Sequence, residues 1–251
     1  MQTETLERVA AELRSARRVL AITGAGISAD SGLPTYRGIG GLYESELTED
    51  HMPIEIALSA GMMRAQPAIT WKYIHQIESS CRHARYNAAH AALAMLEPRY
   101  ERFTVLTQNI DGFHHDAGSR DVIEMHGNVH ELYCVACAAE RRVNDYAGLA
   151  IPPACERCGA LVRPRVVLFG EMLPELALDR LRQVLDAGVD LVLSIGTTSV
   201  FPYIAEPVRE AASRGIATVE INPGWTEVSA QVRYRLEARA KEALPALLRL
   251  L

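Results

Sequence analysis

Four cysteines are spaced for metal binding, in two C-x2-C pairs separated by the 17 residues 138–154: Cys134, Cys137, Cys155 and Cys158. Each pair places two thiolates on one tight turn, and two such turns facing each other form a tetrahedral Zn²⁺ site. Because sulfur would fill all four positions, none is left for a reacting water, and we expect one structural ion. A redox-active C-x-x-C is the alternative, but that chemistry usually uses one pair. Catalysis is therefore expected elsewhere.

A glycine-rich loop with the sequence GAGISA begins at Gly24 and matches the G-x-G-x-x-A pattern of dinucleotide-binding loops. In that pattern Gly24 permits the tight turn, Gly26 lets the backbone approach a pyrophosphate, and Ala29 allows close helix packing. The match is short enough to arise by chance, but an apolar run precedes it. No acidic residue ends a second strand about 20 residues further on, where a dehydrogenase has one. Hydride transfer is therefore disfavoured.

His126 is the strongest candidate for proton transfer among the eight histidines. It follows the apolar run Val122–Met125 and precedes Gly127, which places it at the carboxyl edge of a predicted strand, where ligands of parallel sheets bind. An imidazole pKa near 6.5 suits proton transfer at neutral pH. Five other histidines are interpreted as structural or surface residues: His51, His75, His83, His90 and His130.

Apolar runs and helical patterns alternate along the chain and predict an α/β fold. Runs typical of buried strands are Arg18–Thr23, Phe103–Thr107, Val122–Met125, Val189–Ile195 and Ile216–Ile221. Helical patterns cover Thr3–Ala16, Pro67–Cys81, Ala88–Glu97 behind an Asn87 N-cap, and Pro174–Ala187. This alternation indicates a parallel sheet with helices on both faces. Residues 39–66 and 134–158 break the rhythm, and we expect them to form a smaller domain beside the sheet.

Composition narrows the class of protein. With 49% hydrophobic and 23% charged residues, the 251-residue chain can form a sizeable core. A net charge of −5 without a basic run argues against direct binding of nucleic acid. No apolar stretch is long enough to span a membrane, and the charged amphipathic N-terminus lacks the centre of a signal peptide. We expect a reduced, cytoplasmic protein in which Cys81 is a small buried apolar residue.

Six motifs and the cysteines together resemble one family. They occur in the order GAGISADSGLPTYRG, TQNIDGFHHDAGS, EMHG, the four cysteines, RPRVVLFGEMLP, SIGTTSVFP and EIN. The series resembles the sirtuins, the NAD-dependent protein-lysine deacylases, from Val19 to about Leu247. The resemblance implies a Rossmann-like NAD-binding domain formed by residues 1–38, 86–127 and 164–251. It also implies a small domain formed by a helical module, residues 39–85, and a zinc-ribbon module, residues 128–163, with NAD and an acyl-lysine protein or peptide meeting in the cleft.

The resemblance also implies a reaction. The acyl oxygen of a modified lysine attacks the anomeric carbon of the nicotinamide ribose and expels nicotinamide. His126, as general base, then takes a proton from the ribose, whose freed hydroxyl attacks the resulting alkylamidate. Water releases free lysine and acylated ADP-ribose, and zinc takes no part.

Roles in binding follow from the same resemblance. Asn109 contacts the nicotinamide ribose, Asp111 accepts from the carboxamide nitrogen, and Ile110 presses on the ring; from the residues alone, this segment also fits a polar turn. The other cofactor positions are Gly24, Ala25, Gly26, Asp30, Tyr36, Arg37, Gln108, Gly196, Thr197, Thr198 and Asn222. An extended segment that pairs with the acyl-lysine peptide contains Val166, Val167, Phe169, Gly170 and Glu171. The alternative interpretation of that segment is a core strand. The alternative interpretation of Arg37 is a surface salt bridge.

Departures from the family pattern bear on specificity. Some sirtuins that remove acidic acyl groups carry a Tyr-x-x-Arg pair, whereas here Tyr73 is followed by Gln76. We therefore expect a preference for acetyl or other neutral acyl groups. The GTTSVFP segment is one residue shorter than usual, which alters how the peptide is held. Protein mono-ADP-ribosyl transfer on the same NAD is the alternative activity, and a non-catalytic binding module is a third interpretation.

Overall fold

The computed structural model describes residues 3–33 and 47–251. Its strands, in chain order, are β1 Arg18–Thr23, β2 Arg102–Thr107, β3 Val122–Glu124, β4 Gly127–Cys134, β5 Glu140–Arg142, β6 Val162–Val166, β7 Leu191–Ile195, β8 Ala217–Ile221 and β9 Tyr234–Leu236. Its α-helices are α1 Thr3–Ser15, α2 Ala25–Ser28, α3 Ile54–Ala57, α4 Ala60–Ala65, α5 Pro67–Cys81, α6 Ala88–Leu96, α7 Phe113–Asp116, α8 Glu175–Asp186, α9 Pro202–Ser213 and α10 Ala240–Arg249. Short 3₁₀ helices lie at Ala29–Ser31 and Glu97–Arg99.

The main sheet has six parallel strands in the order β3-β2-β1-β7-β8-β9. The strand order reverses between β1 and β7, as in doubly wound nucleotide-binding folds, and ligands of such sheets bind in the crevice at that point. All five predicted strands are present in this sheet. The sixth, β9, escaped prediction because three residues are too few to show a pattern.

Helices cover both faces of the main sheet. Successive β1 side chains alternate between two hydrophobic clusters, with Val19 and Ala21 in one and Leu20 and Ile22 in the other. The first cluster contains residues of α1, α6 and α10, and the second contains residues of α8 and α9. The predicted α/β fold is therefore confirmed. In the described ranges, no helix has both the length and the apolar character needed to cross a bilayer.

A separate antiparallel sheet, in the order β5-β4-β6, carries the cysteine segment. Its core is shared with α3, α4 and α5. Trp71 of α5 is fully buried there, donates its indole N–H to the Val162 carbonyl at 3.0 Å and contacts the ring of Tyr146. Residues from both interrupting stretches thus pack into one second core. Part of the predicted helical module lies outside the described residues.

Candidate active site

The loops after β1 and β7 touch each other where the strand order reverses. The Gly26 amide donates to the Gly196 carbonyl at 2.8 Å, and a Cβ added to Gly26 would lie 2.7 Å from Gly196 Cα. A Cβ on Gly24 would lie 2.8 Å from Thr197 Cβ. Gly24 itself has extended torsions, φ −132° and ψ −171°, that any residue can adopt. The close approach of the two loops, rather than a strained turn, therefore accounts for both glycines.

The segment after β2 is tied to the glycine loop by buried polar contacts. Asn109 donates from Nδ2 to the Gly24 carbonyl at 3.2 Å and to Ser28 Oγ at 3.1 Å. The Ser28 hydroxyl donates to Asp111 Oδ2 at 2.7 Å, and the Phe113 amide donates to Oδ1. Burial raises the pKa of Asp111, and these two hydrogen bonds oppose the rise. Each carboxylate oxygen keeps a further lone pair for a donor such as a carboxamide nitrogen.

Gln108 connects three parts of the site. Its side chain donates from Nε2 to Thr197 Oγ1 at 2.9 Å, and its backbone carbonyl lies 2.9 Å from His126 Nδ1. A carbonyl can only accept, so neutral His126 carries its proton on Nδ1 and leaves Nε2 as the basic nitrogen. Burial lowers the pKa of His126, and the contact with Gln108 opposes that shift. The imidazole is therefore neutral, and able to accept a proton, near neutral pH.

Gly127 allows the segment predicted to bind acyl-lysine to lie directly behind His126. It has φ +77°, and a Cβ there would lie 1.9 Å from the Arg165 carbonyl oxygen. The Val167 amide donates to the His126 carbonyl at 3.0 Å. The candidate base thus shares its backbone contacts with the segment predicted to hold the substrate.

The segment from Val166 to Glu171 is held from both sides. Arg163 forms a bidentate ion pair with Glu171, at 2.6 and 3.0 Å, and also donates to the Val166 carbonyl. The Phe169 amide donates to Leu58 O, and its carbonyl accepts from the amide of Ala60. Val166 lies in the core of the small sheet, whereas the Phe169 side chain is 36% exposed. The Glu171 carboxylate therefore holds the segment in place.

Polar groups after β7 and β8 line the other end of the crevice. Asn222 donates from Nδ2 to the Thr197 carbonyl at 3.1 Å, and the Glu227 amide donates to the Thr198 carbonyl at 3.2 Å. The carboxylate of Asp30, another predicted cofactor position, pairs with Arg239 and Lys241 at 2.8 and 3.0 Å. Asp30 therefore joins the end of the glycine loop to α10.

The four cysteine sulfurs lie within 4.8 Å of one another. The Cys134–Cys158 and Cys137–Cys155 separations are 3.5 and 3.7 Å. Four sulfurs around tetrahedral zinc, at Zn–S distances of about 2.3 Å, would lie about 3.8 Å apart. Both turns have the same form, since the amides of Ala138 and Gly159 donate to the carbonyls of Cys134 and Cys155. The four sulfurs could therefore hold one metal ion.

Comparisons with known proteins show the family of the chain. A model of the Sir2 family matches residues 24–202. The chain belongs to the Sir2 family. The sirtuin resemblance of its motifs is thereby confirmed, and with it the predicted Rossmann-like fold beside a smaller sheet that carries the cysteines.

Individual Sir2 relatives match over nearly the whole chain. A Pseudomonas aeruginosa protein named NAD-dependent protein deacylase 2 is 50% identical over 240 residues, covering 94% of this chain and 93% of that protein. A solved Sir2 homologue–NAD complex is 34% identical with a TM-score of 0.85, covering 97% of this chain and 92% of that one. A structure described as Sir2–p53 peptide–NAD⁺ is 29% identical with a TM-score of 0.83, covering 97% of each chain.

Two residues that contact the site of this Sir2 protein were missed by the sequence analysis. Ser28 lies in the glycine motif, but its link to Asp111 joins residues 83 positions apart. Tyr203 lies in the first turn of α9, and its hydroxyl oxygen is 2.6 Å from His126 Nε2. No local pattern in the sequence indicates either contact. Tyr36 and Arg37, both predicted for the cofactor, lie outside the described residues.

Proposed function

We propose that the chain is an NAD-dependent protein-lysine deacylase that acts on acetyl-lysine or other neutral acyl groups. It transfers the acyl group to ADP-ribose and releases nicotinamide. The observation that carries the proposal is the position of His126. Its ring contacts Gln108 of the predicted NAD segment, and its carbonyl accepts from Val167 of the predicted acyl-lysine segment.

NAD supplies the electrophilic anomeric carbon and the sugar hydroxyl of the reaction. The residues proposed to bind it share one edge of the sheet. They are Gly24, Ala25, Gly26, Gln108, Asn109, Ile110, Asp111, Gly196, Thr197, Thr198 and Asn222, with Tyr36 and Arg37 on sequence grounds alone. Asp30 belongs to the same proposed set, and its ion pairs with Arg239 and Lys241 hold its carboxylate in place. Asp111 would accept from the carboxamide, and His126 would act as the general base, with Nε2 as its basic nitrogen.

For the acyl-lysine protein or peptide, we propose the segment that contains Val166, Val167, Phe169, Gly170 and Glu171. Phe169 supplies exposed apolar surface for the lysine stem. Glu171 fixes the end of the segment through its pair with Arg163. Binding a peptide alongside an extended segment uses main-chain hydrogen bonds for affinity and side-chain pockets for specificity.

The four cysteines are proposed to hold one structural Zn²⁺, because the sulfur separations fit tetrahedral coordination. We also propose the domain division expected from the sequence: residues 1–38, 86–127 and 164–251 in the NAD-binding domain, and 39–85 with 128–163 in the small domain. The packing of Trp71 against Val162 and Tyr146 supports that grouping. A cytoplasmic location is proposed from the five unpaired cysteines, which suit a reducing compartment.

Product analysis tests the activity. Purified protein incubated with NAD and an acetyl-lysine peptide should release nicotinamide, free lysine peptide and O-acetyl-ADP-ribose, identified by mass spectrometry. ADP-ribosylated protein with no acylated ADP-ribose would instead support the alternative, mono-ADP-ribosyl transfer. Absence of all these products would support a binding module.

A further inference from the structure

The two ring nitrogens of His126 both have partners. Nδ1 lies 2.9 Å from the Gln108 carbonyl, and Nε2 lies 2.6 Å from the Tyr203 hydroxyl oxygen. Because Nδ1 carries the proton of the neutral ring, Nε2 accepts from the hydroxyl of Tyr203. Nε2 has one lone pair, and Tyr203 occupies it. A sugar hydroxyl therefore cannot give its proton directly to Nε2 while this contact persists.

We propose that Tyr203 is a proton relay, through which a ribose hydroxyl of bound NAD transfers its proton to His126. The inference rests on the proposed deacylase function. The Tyr203 oxygen accepts the ribose proton while the Tyr203 proton moves to His126 Nε2. The O–H bonds of the ribose and of Tyr203 break, and a new O–H bond and an N–H bond form. Tyr203 ends unchanged, His126 becomes an imidazolium, and the ribose oxygen keeps the electron pair for its attack.

The surroundings of Tyr203 favour a relay over a side chain that swings away. Its ring stacks on Phe201 at 5.5 Å with 15° between the planes, and Phe201 meets the His126 ring edge-on at 6.1 Å. The next residues of α9, Ile204 and Ala205, are buried in the core against which Tyr203 packs. Displacing the hydroxyl would require the stack and this packing to be lost.

The electrostatic surroundings keep the relay neutral. Burial raises the pKa of Tyr203 to about 12, so the phenol keeps its proton at working pH. In the part of the chain that the structure describes, the His126 ring contacts the Gln108 carbonyl after β2, Phe201 before α9 and Tyr203 in its first turn. Within the described residues, no charged group contributes to the pKa shift of His126. Among residues 3–33 and 47–251, proton transfer through Tyr203 therefore has no carboxylate or ammonium group perturbing the pKa of His126 to compete with.

Tyr203 also belongs to the loop and helix that begin at the proposed nucleotide site. The chain runs from Gly196 and Thr197, beside the glycine loop, directly into α9. One segment therefore carries both proposed nucleotide contacts and the hydroxyl on His126.

Removing the hydroxyl with Tyr203→Phe tests the proposal. In the implied reaction, nicotinamide leaves before the sugar proton is taken. The variant should therefore keep exchange of labelled nicotinamide into NAD in the presence of acetyl-lysine peptide. Formation of O-acetyl-ADP-ribose should fall about 10²-fold or more, the scale of a lost acid–base step, with KM for the peptide little changed. The matched control is Tyr234→Phe, which removes a hydroxyl bonded to Glu12, and it should retain both reactions.

A second measurement uses the wild-type enzyme. A relay moves two protons in one step, and both contribute to the solvent isotope effect. A plot of the single-turnover rate constant for the step after nicotinamide release against the D₂O fraction should therefore be curved. A linear plot, or wild-type product formation by Tyr203→Phe, would overturn the relay and leave Tyr203 as a removable cap on His126. If the wild-type protein shows no exchange of labelled nicotinamide into NAD, the proposed function itself would be overturned.

Discussion

The backbone of Gly26 contacts that of Gly196 at the point where the strand order of the main sheet reverses. The amide of one donates to the carbonyl of the other at 2.8 Å, and Gly196 has φ +57°. Neither position has room for a side chain, because a Cβ on Gly196 would lie 2.5 Å from the Ile27 nitrogen. Two loops proposed to bind opposite parts of one nucleotide are thereby held at a fixed separation.

Gly26→Ala should separate these loops and weaken NAD binding. The added methyl would lie 2.7 Å from backbone atoms of Gly196, which cannot move aside as a flexible side chain could. We expect at least a tenfold rise in the NAD dissociation constant by calorimetry. Gly61→Ala in α4 is the control, because the added Cβ would lie 3.7 Å from its nearest neighbour, Ser59 Oγ, and it should leave NAD affinity unchanged. Equal affinities for the two variants would contradict the packing argument.

Acetyl-lysine peptides should be turned over faster than succinyl-lysine peptides. The Tyr73 hydroxyl is committed to Asp50 at 2.5 Å, and Gln76 offers no positive charge. Arg163, next to the proposed substrate segment, already binds Glu171 with both terminal nitrogens of its guanidinium group. A buried acidic acyl group without a partner costs several kcal/mol, so kcat/KM should favour acetyl by at least about tenfold. Equal or faster succinyl turnover would show that an unrecognised cation serves the site.

Cys155→Ser should remove the proposed zinc ion and unfold the small sheet. Cys155 is buried, and its sulfur lies 3.7 Å from that of Cys137. Structural zinc contributes on the order of 10 kcal/mol to the folding of small modules. The zinc content found by metal analysis should therefore fall from one ion per chain toward none, and activity should fall with it. Cys81→Ala is the control and should keep the ion. A zinc-free variant with full activity would remove the structural role.

The free energy of unfolding should fall as the pH drops from about 6.5 to about 4. Burial lowers the pKa of His90 to about 4 and that of His114 in the same direction. Below about pH 6.5 these histidines bind protons in the unfolded chain but stay neutral in the folded one. Each therefore lowers the free energy of unfolding by about 1.4 kcal/mol per pH unit in this range. When the free energy of unfolding, measured with urea, is plotted against pH, the slope should be shallower for His90→Gln than for the wild type. The exposed His83→Gln should match the wild type, and an unchanged slope in both would contradict the assignment.

Much of the fold could be predicted from the sequence, because many of its helices and strands are specified by neighbouring residues. The Asn87 side chain caps α6 by accepting from the Ala89 amide at 2.8 Å, as its position before an alanine-rich run predicted. Fully buried parallel strands such as β1 are continuous apolar runs, so they were visible too. The three residues of β9 were not, since such a short strand is specified by its neighbour β8 rather than by its own pattern.

The site was predictable where single residues follow strands, and less so where residues distant in the chain meet. His126 and Asn109 each lie just after a strand. Their position at the carboxyl edge of the main sheet could therefore be predicted from the parallel topology. Asp30 shows the limit. Its place in the glycine loop predicted a cofactor contact and gave no sign of its ion pairs with Arg239 and Lys241, which come from the far end of the chain. Such pairings depend on tertiary packing, which a single sequence does not display.

The most direct test of the account is His126→Ala, assayed for two reactions on the same sample. Removal of a general base should lower formation of O-acetyl-ADP-ribose by about 10²–10⁴-fold, while nicotinamide exchange and NAD binding persist. His75→Ala, on α5, is the histidine control and should retain both reactions. Wild-type rates of O-acetyl-ADP-ribose formation by His126→Ala would contradict the account.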